Sequence, residues 1–423
     1  MTAPLALTID TLTHGPFGLG RSDGKVVLVP LTVPGDRVAA DVVEEHQRYS
    51  VARLASVVEP SPARRAAPCP YTGACGGCSW QEAVYETQLQ AKQRNVADAL
   101  ARVGGLTEFE MLPVLPAPRE FHYRRRIVLH VDGERRIGFH RAFSREIVEV
   151  RRCHIAEADA DGGIELAAQW VERLATHVSE VEILSADRPG QVILSARSRH
   201  AYQSADGDAC AGLVGDRVAG IMMAGPGWRR RWGETALSCV VDGDLRLTHD
   251  AGTFSQVNPE GNRRLVDEVM ALAGFAAEDD VLELYAGAGN LTLPAARRVR
   301  RVTAVEADAR LVRNGRRNAA DNDLGNVRWW RHDVPAAVDE FIRQERRFTT
   351  IVLNPPRAGA KRTAPGLAAL GAGKILYVSC DPATLARDLR QLAARGYALR
   401  RVRPVDLFPQ TFHVETIAEL VRE

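Results

Sequence analysis

The sequence predicts an α/β protein whose C-terminal part is a doubly wound parallel sheet, preceded by a small β-barrel and a β-rich central region. Three observations lead to this class. From Val281 onward, short apolar runs alternate with helical patterns, as in βαβ units. Between Leu5 and Val58, short β-rich runs are separated by glycine turns, which is typical of small barrels. Residues 123–247 contain many further β-rich runs.

Length and charge set the broad class of the protein. The chain has 423 residues and a formal net charge of +2, and this length predicts about three domains. Arginines are clustered in a way that suits phosphate contacts, although each cluster taken singly is more often a solvated surface. The N-terminus, Met1–Thr8, lacks the basic and apolar segments of a secretory signal, and no apolar run could span a bilayer. We expect a cytoplasmic monomer without a membrane partner.

The N-terminal region predicts a barrel of the OB-like kind. Its clearest strands are Val26–Val29 and Arg37–Val43, and Pro60–Arg65 has the composition of a linker. Small barrels of this kind often bind nucleic acid, although a purely structural barrel is the alternative.

Three cysteines follow in a glycine-rich loop with the spacing C-x5-C-x2-C: Cys69, Cys75 and Cys78. Cys153 comes much later. A cytoplasmic protein does not use such cysteines as a disulfide framework. Four thiolates bind either an iron–sulfur cluster or zinc, and the spacing typical of zinc knuckles is only half met. We therefore favour a cubane cluster, with zinc as the second choice; unligated thiols so close together would be prone to oxidation.

The middle of the chain contains two predicted helices and several strands. One helix extends from Trp80 to Val103 and is ended by Gly104 and Gly105. A second is predicted around Ile164 to His177. The strands are Arg126–Val131, Val181–Leu184, Gln191–Ser195 and Ala219–Met223.

The C-terminal part alternates strands with helices after a first helix, Glu260–Ala273. Its predicted strands are Val281–Tyr285, Val302–Glu306, Val327–Asp333, Thr349–Leu353 and Lys374–Val378. The first strand leads into a glycine loop with Gly287 and Gly289. Thr292 occupies the third glycine position of the dinucleotide fingerprint, so the loop suits a ligand without a pyrophosphate. S-adenosylmethionine is such a ligand.

Polar residues end the next three strands, as expected for a ligand-binding edge. Glu306 is placed to accept hydrogen bonds from ribose hydroxyls, and Asp333 could reach the adenine amino group. Asn354 ends the fourth strand, where the reactive methyl group would lie. Core packing does not readily explain such a set.

Cys380 lies in the turn between the strand Lys374–Val378 and a helical pattern, Thr384–Leu392. A helix N-terminus favours the thiolate form of a cysteine. A buried core cysteine is the alternative on this position alone.

A methyl donor next to a reactive thiol suggests methylation at C5 of a pyrimidine. A thiolate that adds to C6 makes C5 nucleophilic, and a general base must afterwards remove the C5 proton. The target base has to be extruded from its stack. Glu415, between a turn and the closing strand Ile417–Val421, offers the base, although a strand-end carboxylate is more often exposed.

The sequence resembles the RNA uridine-C5 methyltransferases, which make 5-methyluridine in tRNA and 23S rRNA. The resemblance covers nearly the whole chain. It rests on the four-cysteine spacing and on several short motifs: Ser379-Cys380-Asp381-Pro382, Asn354-Pro355-Pro356-Arg357, Gln256-Val257-Asn258, the Gly287/Gly289/Asn290 loop and Phe408-Pro409-x-Thr411-x-His413-Val414-Glu415.

The resemblance implies roles for individual residues. Cys380 is the nucleophile and Glu415 the base. The early cysteines, Cys69, Cys75, Cys78 and Cys153, hold a 4Fe–4S cluster. The S-adenosylmethionine site is lined by seven residues: Gln256, Tyr285, Gly287, Asn290, Glu306, Asp333 and Asn354.

The resemblance also implies a domain organisation. Residues 1–60 form a TRAM-like RNA-binding barrel, and residues 66–80 with 120–246 form a cluster-bearing β-rich central domain. Residues 81–119 carry a helix that packs with the catalytic domain. Residues 247–423 form the S-adenosylmethionine-dependent methyltransferase domain.

One departure from the family concerns Asn354, where the usual residue is Asp. The amide keeps an acceptor oxygen but removes a charge next to the sulfonium. Asn-Pro-Pro also occurs in amino-group methyltransferases, which need no thiol, so Cys380 with Glu415 argues against that assignment.

The preferred function is uridine-C5 methylation of 23S rRNA, since the cluster and barrel resemble the rRNA branch of the family. Formation of 5-methyluridine in tRNA is an alternative. Cytosine-C5 methylation is another, although that chemistry often uses a second cysteine near the Pro-Pro loop, which Asn354-Pro355-Pro356 lacks. An RNA-binding or RNA-folding protein without catalysis is the alternative from a different class, disfavoured by the intact Cys380 and Glu415.

Overall fold

The structure is a computed structural model that describes residues 4–423. The first three residues of the predicted barrel, 1–3, lie outside the described residues. The chain divides into two compact units. One holds the chain up to Lys92 with Arg119–Thr235 and Phe408–His413; the other holds Gln93–Pro118, Ala236–Leu407 and Val414–Glu423.

The N-terminal region forms the predicted closed barrel of five strands. Apolar residues alternate into its interior, among them Ile9, Val27 and Val29, which are almost wholly buried. The strand order around the barrel is β1-β2-β3-β5-β4. The strands are β1 (Leu5–Leu12), β2 (Phe17–Ser22), β3 (Lys25–Pro30), β4 (Arg37–Glu45) and β5 (Tyr49–Glu59).

The first helix, α1 (Tyr85–Ala99), begins later than the sequence predicted. Trp80 begins a turn closed by the N–H of Ala83, and the N–H of Val84 donates to the carbonyl of Ala63 at 2.9 Å instead of to the carbonyl of Trp80, as a helix would require. A π-helical turn, Leu100–Gly104, continues α1, and Gly105 ends it with a φ of 65°. A short strand, β6 (Glu110–Met111), follows.

A seven-stranded sheet forms the centre of the first unit, in the order β13-β12-β11-β10-β7-β8-β9. Helix α2 (Ala158–Arg173) buries Ile164, Ala167 and Trp170 against it. The predicted end of this helix at His177 is wrong, because the chain becomes extended at Leu174. The other elements are β7 (Arg126–Val131), β8 (Ile137–His140), β9 (Ile147–Glu149), β10 (Val178–Ser185), β11 (Val192–Ser198), α3 (Asp206–Leu213), β12 (Val218–Gly225) and β13 (Trp228–Gly233).

A hairpin, β14 (Ala236–Asp242) and β15 (Leu245–Asp250), opens the C-terminal part of the second unit. The sequence divided the chain at Leu247, inside this hairpin. The structure groups the hairpin with the second unit because its apolar side chains pack on Leu293 and Ala319 of that unit.

The remaining elements alternate largely as predicted, and Gly274 ends the first of their helices in a left-handed conformation. They are α4 (Pro259–Ala273), β16 (Asp280–Leu284), α5 (Thr292–Ala296), β17 (Arg301–Glu306), α6 (Ala309–Asp321), β18 (Val327–Arg331), α7 (Val334–Arg343), β19 (Thr350–Leu353), α8 (Ala364–Leu367) with a 3-10 turn (Ala368–Leu370), β20 (Lys374–Ser379), α9 (Pro382–Ala393), β21 (Tyr397–Val405) and β22 (Glu415–Arg422).

The large sheet has the order β18-β17-β16-β19-β20-β22-β21-β6. Strands β16 to β20 are mutually parallel, which confirms the predicted doubly wound class. The closing strand, β22, runs antiparallel to both of its neighbours, β20 and β21. Antiparallel neighbours need no crossover helix. The chain can therefore turn back from the end of β21 directly into β22, which lies between β21 and β20. None of the helices in residues 4–423 has the length and apolar character needed to cross a lipid bilayer.

Candidate active site

Polar residues predicted to follow the parallel strands lie at the carboxyl edge of the large sheet. Glu306 ends β17. Tyr285, Asn354 and Cys380 directly follow β16, β19 and β20. Asp333 precedes α7, just beyond β18. Because these strands are parallel, their carboxyl ends meet at one edge, where open α/β sheets bind ligands.

Cys380 and Glu415 are brought together by the antiparallel strand β22. The register of β20 and β22 pairs Ser379 with Thr416, so the next pair outward places Cys380 beside Glu415. Glu415 is only 5% exposed. Its burial differs from the exposed carboxylate that a strand end alone would favour.

Burial and neighbouring charges determine the pKa of both groups. Burial, followed by the negative charge of Glu415, raises the pKa of the Cys380 thiol. Burial also raises the pKa of Glu415 to about 7. The direction at Cys380 is opposite to the one expected from the helix N-terminus, because burial and the negative charge of Glu415 both disfavour the thiolate. A carboxyl group that titrates near neutral pH can accept a proton during a reaction.

Arg357 completes this group, and the sequence did not predict its role. Its guanidinium donates a hydrogen bond towards the Cys380 sulfur and lowers the pKa of that thiol. The same positive charge lowers the pKa of Glu415. The signal that could have revealed it is the arginine that ends Asn354-Pro355-Pro356-Arg357, three residues after a strand-end polar residue.

The glycine loop after β16 leaves space for a ligand beside Glu306. Gly287 and Gly289 have φ values of 58° and 109°, which favour glycine. A Cβ on Gly287 would meet no atom within 4 Å, so the loop is open on that side. The Glu306 carboxylate accepts hydrogen bonds from the backbone N–H groups of Gly287 at 3.0 Å and Asp308 at 2.8 Å. These bonds fix its orientation at the strand end.

Two further predicted residues are held by partners that the sequence did not reveal. Asn290 and Asn262 form a reciprocal amide pair, with hydrogen bonds of 2.8 and 2.9 Å. The Tyr285 hydroxyl lies 3.0 Å from Oγ1 of Thr363. Tyr285 also has a positive φ of 62°, which is uncommon for a bulky residue and is typical of strained functional loops.

The remaining predicted ligand residues have less distinctive surroundings. Asp333 accepts a hydrogen bond from the N–H of Ala336 at 3.3 Å and thereby caps α7. Gln256 is half-buried in the loop before α4. Asn354 is half-buried, and its N–H donates to the carbonyl of Leu284 at 3.4 Å. Their roles towards a ligand stay predictions.

Glu283 is a buried carboxyl group beside this site that the sequence analysis did not single out. It is 3% exposed and accepts a hydrogen bond from the hydroxyl of Thr292. Burial raises its pKa to about 8 despite that bond, and the charge of Glu306 adds to the rise. Glu283 can therefore be protonated at neutral pH.

The four early cysteines form a group in the first unit. All four are free and half-buried: Cys69, Cys75, Cys78 and Cys153. Burial raises the pKa of Cys78 to about 12 and that of Cys153 to about 11. Cys75 and Cys153 both add to the rise at Cys78, and Cys69 adds to the rise at Cys75, so the sulfurs are close enough to affect one another.

Hydrogen-bond donors point at these sulfurs. The N–H of Gly77 donates to Sγ of Cys75 at 3.4 Å. Backbone N–H groups of Ile155 and Ala156 are directed at Cys153. Such N–H···S bonds are a known means of stabilising sulfur-bound clusters.

Arg124 faces the same group of cysteines. Its positive charge acts on Cys78 and Cys153. Its buried Nε has no hydrogen-bond partner within residues 4–423. These features fit an anionic thiolate-bound centre. Nevertheless, no set of three or more His, Cys, Asp or Glu side chains in the described part of the chain is arranged to hold a metal ion. Both the iron–sulfur cluster and zinc therefore stay predictions.

Comparison with known proteins places the chain in a family. Residues 235–423 match the profile described as tRNA (Uracil-5-)-methyltransferase. A protein of Alkalilimnicola ehrlichii named 23S rRNA (uracil(1939)-C(5))-methyltransferase RlmD is 33% identical, over 99% of this chain and 97% of that protein. The chain belongs to the RNA uracil-C5-methyltransferase family. A Pseudomonas fluorescens protein with the same name is also 33% identical, over 97% and 93% of the two chains.

A solved structure shows the same fold as this uracil-C5-methyltransferase. The Pyrococcus abyssi tRNA (uracil-54, C5)-methyltransferase, in complex with S-adenosyl-L-homocysteine, aligns with a TM-score of 0.76. The alignment covers 99% of this chain and 100% of that chain, at 24% identity. It supports the whole architecture, from the closed barrel to the large sheet.

These findings confirm the resemblance, the fold class and the assignment as an RNA uracil-C5-methyltransferase that uses S-adenosylmethionine. The roles of the individual site residues stay predictions. The structure brings together Tyr285, Gly287, Glu306, Cys380 and Glu415 at one edge of one sheet.

Proposed function

We propose that this protein methylates C5 of a uridine in 23S rRNA, with Cys380 as nucleophile and Glu415 as general base. The observation that carries the proposal is the pairing of Cys380 with a buried Glu415 at the carboxyl end of β20. The rRNA substrate is favoured because relatives that match over almost the full length are named as 23S rRNA methyltransferases.

The proposed reaction proceeds by addition and elimination. The Cys380 sulfur adds to C6 of the uracil, and the electron pair of the C5–C6 bond forms the new bond from C5 to the methyl carbon. Glu415 then takes the proton from C5. The electrons of the broken C5–H bond reform the C5–C6 double bond and expel the thiolate. Arg357 holds positive charge beside both groups and favours their ionised forms.

S-adenosylmethionine, when bound, supplies an electrophilic methyl group and leaves as S-adenosylhomocysteine. The residues present fit this ligand, because the loop at Gly287 is open and Glu306 presents a fixed carboxylate beside it. Glu306 would hold the ribose hydroxyls, and Asp333 the adenine amino group. The other residues of the proposed site are Gln256, Tyr285, Asn290 and Asn354.

A 4Fe–4S cluster on Cys69, Cys75, Cys78 and Cys153 is part of the proposal. The mutual influence of the four sulfurs, the N–H groups directed at them and the unpartnered Nε of Arg124 support it. Zinc is the second choice. We further propose that the barrel binds RNA as a TRAM-like domain and that the protein works as a cytoplasmic monomer.

The proposal is tested by transfer of a labelled methyl group from S-adenosylmethionine to separated unmodified rRNA and tRNA, followed by nucleoside digestion. We expect label in 5-methyluridine from 23S rRNA. Label in 5-methyluridine from tRNA would overturn the substrate, and label in 5-methylcytidine would overturn the base. Absence of label from every RNA would overturn catalysis.

The cluster proposal predicts a coloured protein. After anaerobic purification, we expect a broad absorption near 400 nm, typical of a cubane cluster, and about four irons per chain. Cys78→Ser should lose most of this absorption, whereas Cys210→Ser, which changes a buried cysteine outside the group, should retain it. A colourless wild-type protein with one zinc per chain would show that the second choice is right.

Asn354→Asp is expected to remain active, because it restores the carboxylate that the family usually has at this position. Methyl transfer should stay within about tenfold of the wild-type rate, a change of less than about 1.4 kcal/mol in activation free energy. The measurement is kcat and KM for S-adenosylmethionine with rRNA. Abolished transfer in a folded variant would show that the donor site is built differently.

The pH dependence of methyl transfer should follow the ionisation of Cys380 and Glu415. Both Cys380 and Glu415 act in their deprotonated forms, and burial raises the pKa of each, that of Glu415 to about 7. The rate should therefore rise from about pH 6 to about pH 8.5, without a maximum below neutrality. A rate that falls across this range would contradict the assigned roles.

A further inference from the structure

The loop that carries Asn354 and Arg357 is hydrogen-bonded to α9, the helix that follows Cys380. Three side chains of α9, spaced so that they share one helix face, bond to the backbone of this loop. The bonds are Thr384 Oγ1 to the Arg357 carbonyl at 3.1 Å, Arg387 Nη2 to the Ala358 carbonyl at 2.8 Å, and the Ala360 N–H to Asp388 Oδ2 at 2.6 Å.

Asp388 is the centre of this contact. It is completely buried. Its Oδ2 also accepts a hydrogen bond from the hydroxyl of Tyr377 at 2.8 Å, and its Oδ1 accepts one from Nε of Arg387 at 2.8 Å. Burying a carboxylate is costly unless such donors surround it. Asp388 thus connects one strand, one helix and one loop.

The three connected elements all meet at Cys380. Tyr377 lies on β20, three residues before the nucleophile, and α9 starts two residues after it. The loop is fitted closely: Gly359 has a φ of 74°, and a Cβ there would approach Asp388 Oδ2 to 2.5 Å. The position of Arg357 relative to Cys380 therefore depends on how Asp388 holds the loop.

We propose that Asp388 is a positioning residue that holds the loop from Arg357 to Ala360 so that the guanidinium lies against Cys380 and Glu415. The inference deepens the proposed function, since it rests on the catalytic roles given to those two residues. Asp388 touches no reacting atom itself. Thr384 supports the same loop one turn earlier on the helix.

The first test is the reactivity of the Cys380 thiol, which requires neither RNA nor the methyl donor. The rate of alkylation at Cys380 is followed against pH by mass spectrometry of the peptide that contains it. Arg357 lowers the pKa of this thiol in the wild type. Asp388→Asn should loosen the loop, remove that effect and shift the alkylation profile to higher pH by about one unit.

A matched control is Asp280→Asn. Asp280 is another buried carboxylate of the second unit, but it starts β16, at the edge of the large sheet opposite Cys380, where Nε of Arg301 donates to it at 2.9 Å. Its variant should leave the alkylation profile unchanged. Equal profiles for Asp388→Asn, Asp280→Asn and the wild type would overturn the inference.

A second pair of variants changes the structure less and keeps the test usable if Asp388→Asn does not fold. Thr384→Val removes the hydroxyl that lies 3.1 Å from the Arg357 carbonyl and 3.2 Å from the Asp381 carbonyl, and Thr384→Ser restores it. We expect the valine variant to shift the alkylation profile in the same direction and the serine variant to return it. If neither changes the profile and Asp388→Asn is folded without a shift, the inference is wrong.

Methyl transfer then separates this inference from the proposed function. Asp388→Asn should lower kcat on rRNA about tenfold and leave KM for S-adenosylmethionine within about twofold. A wild type without methyl transfer whose alkylation profile still responds to Asp388→Asn would overturn the proposed function alone. A raised KM with unchanged kcat would overturn the positioning role.

Discussion

Cys380→Ala is expected to abolish methyl transfer, with a loss of about 10⁴-fold or more. In the proposed reaction this thiol forms the covalent bond to C6, and Cys239 is the only other cysteine in the described residues of the second unit. RNA binding should persist, because the substitution removes one atom and no charge at neutral pH. The measurements are single-turnover methyl transfer and an RNA-binding titration.

The matched control for this prediction is Cys239→Ala. Cys239 is a half-buried cysteine on β14 of the same unit. The Cys239→Ala variant should retain the wild-type rate of methyl transfer. Substantial transfer by Cys380→Ala, or its loss in Cys239→Ala, would contradict the assignment of the nucleophile.

Glu415→Gln is expected to slow product release by about 10²–10⁴-fold and to trap a covalent protein–RNA complex. The glutamine has the same shape but cannot take the C5 proton, so the thiolate is not eliminated after methylation. Denaturing electrophoresis with labelled RNA measures the complex. The wild type should show little of it after the reaction is complete.

Glu419→Gln is the control for a buried carboxylate on the same strand. Glu419 is 3% exposed and pairs with Lys374 and Arg401, away from Cys380. Its variant is expected to lose some stability but not to accumulate the complex. A Glu415→Gln variant that turns over like the wild type would exclude Glu415 as the base.

The order of elements could be predicted from sequence because local patterns determine it. The strand before Cys380 is a short, uninterrupted apolar run, and Gly274 ends α4 as a left-handed cap. The candidate residues at strand ends followed from this alternation together with the parallel topology. The motif around Cys380 contributed most to the prediction of the site, because it is also one of the motifs on which the resemblance to the family rests.

Features that depend on distant contacts could not be predicted. The N–H of Val84 bonds to the carbonyl of Ala63 instead of that of Trp80, so α1 starts later than its periodicity suggests. Glu415 is buried because β22 pairs with β20, and that long-range register is invisible in the local sequence. Burial raises the pKa of Cys380 most, and the charge of Glu415, which the same pairing puts next to the thiol, adds to the rise.

The most direct test of the account is mass spectrometry of the Glu415→Gln complex. The variant is incubated with S-adenosylmethionine and an unmodified 23S rRNA fragment, then digested with protease and nuclease. The account predicts a peptide that contains Cys380 linked to a methylated uridine. A link through another residue, a linked cytidine, or no linked nucleotide from an active enzyme would contradict it.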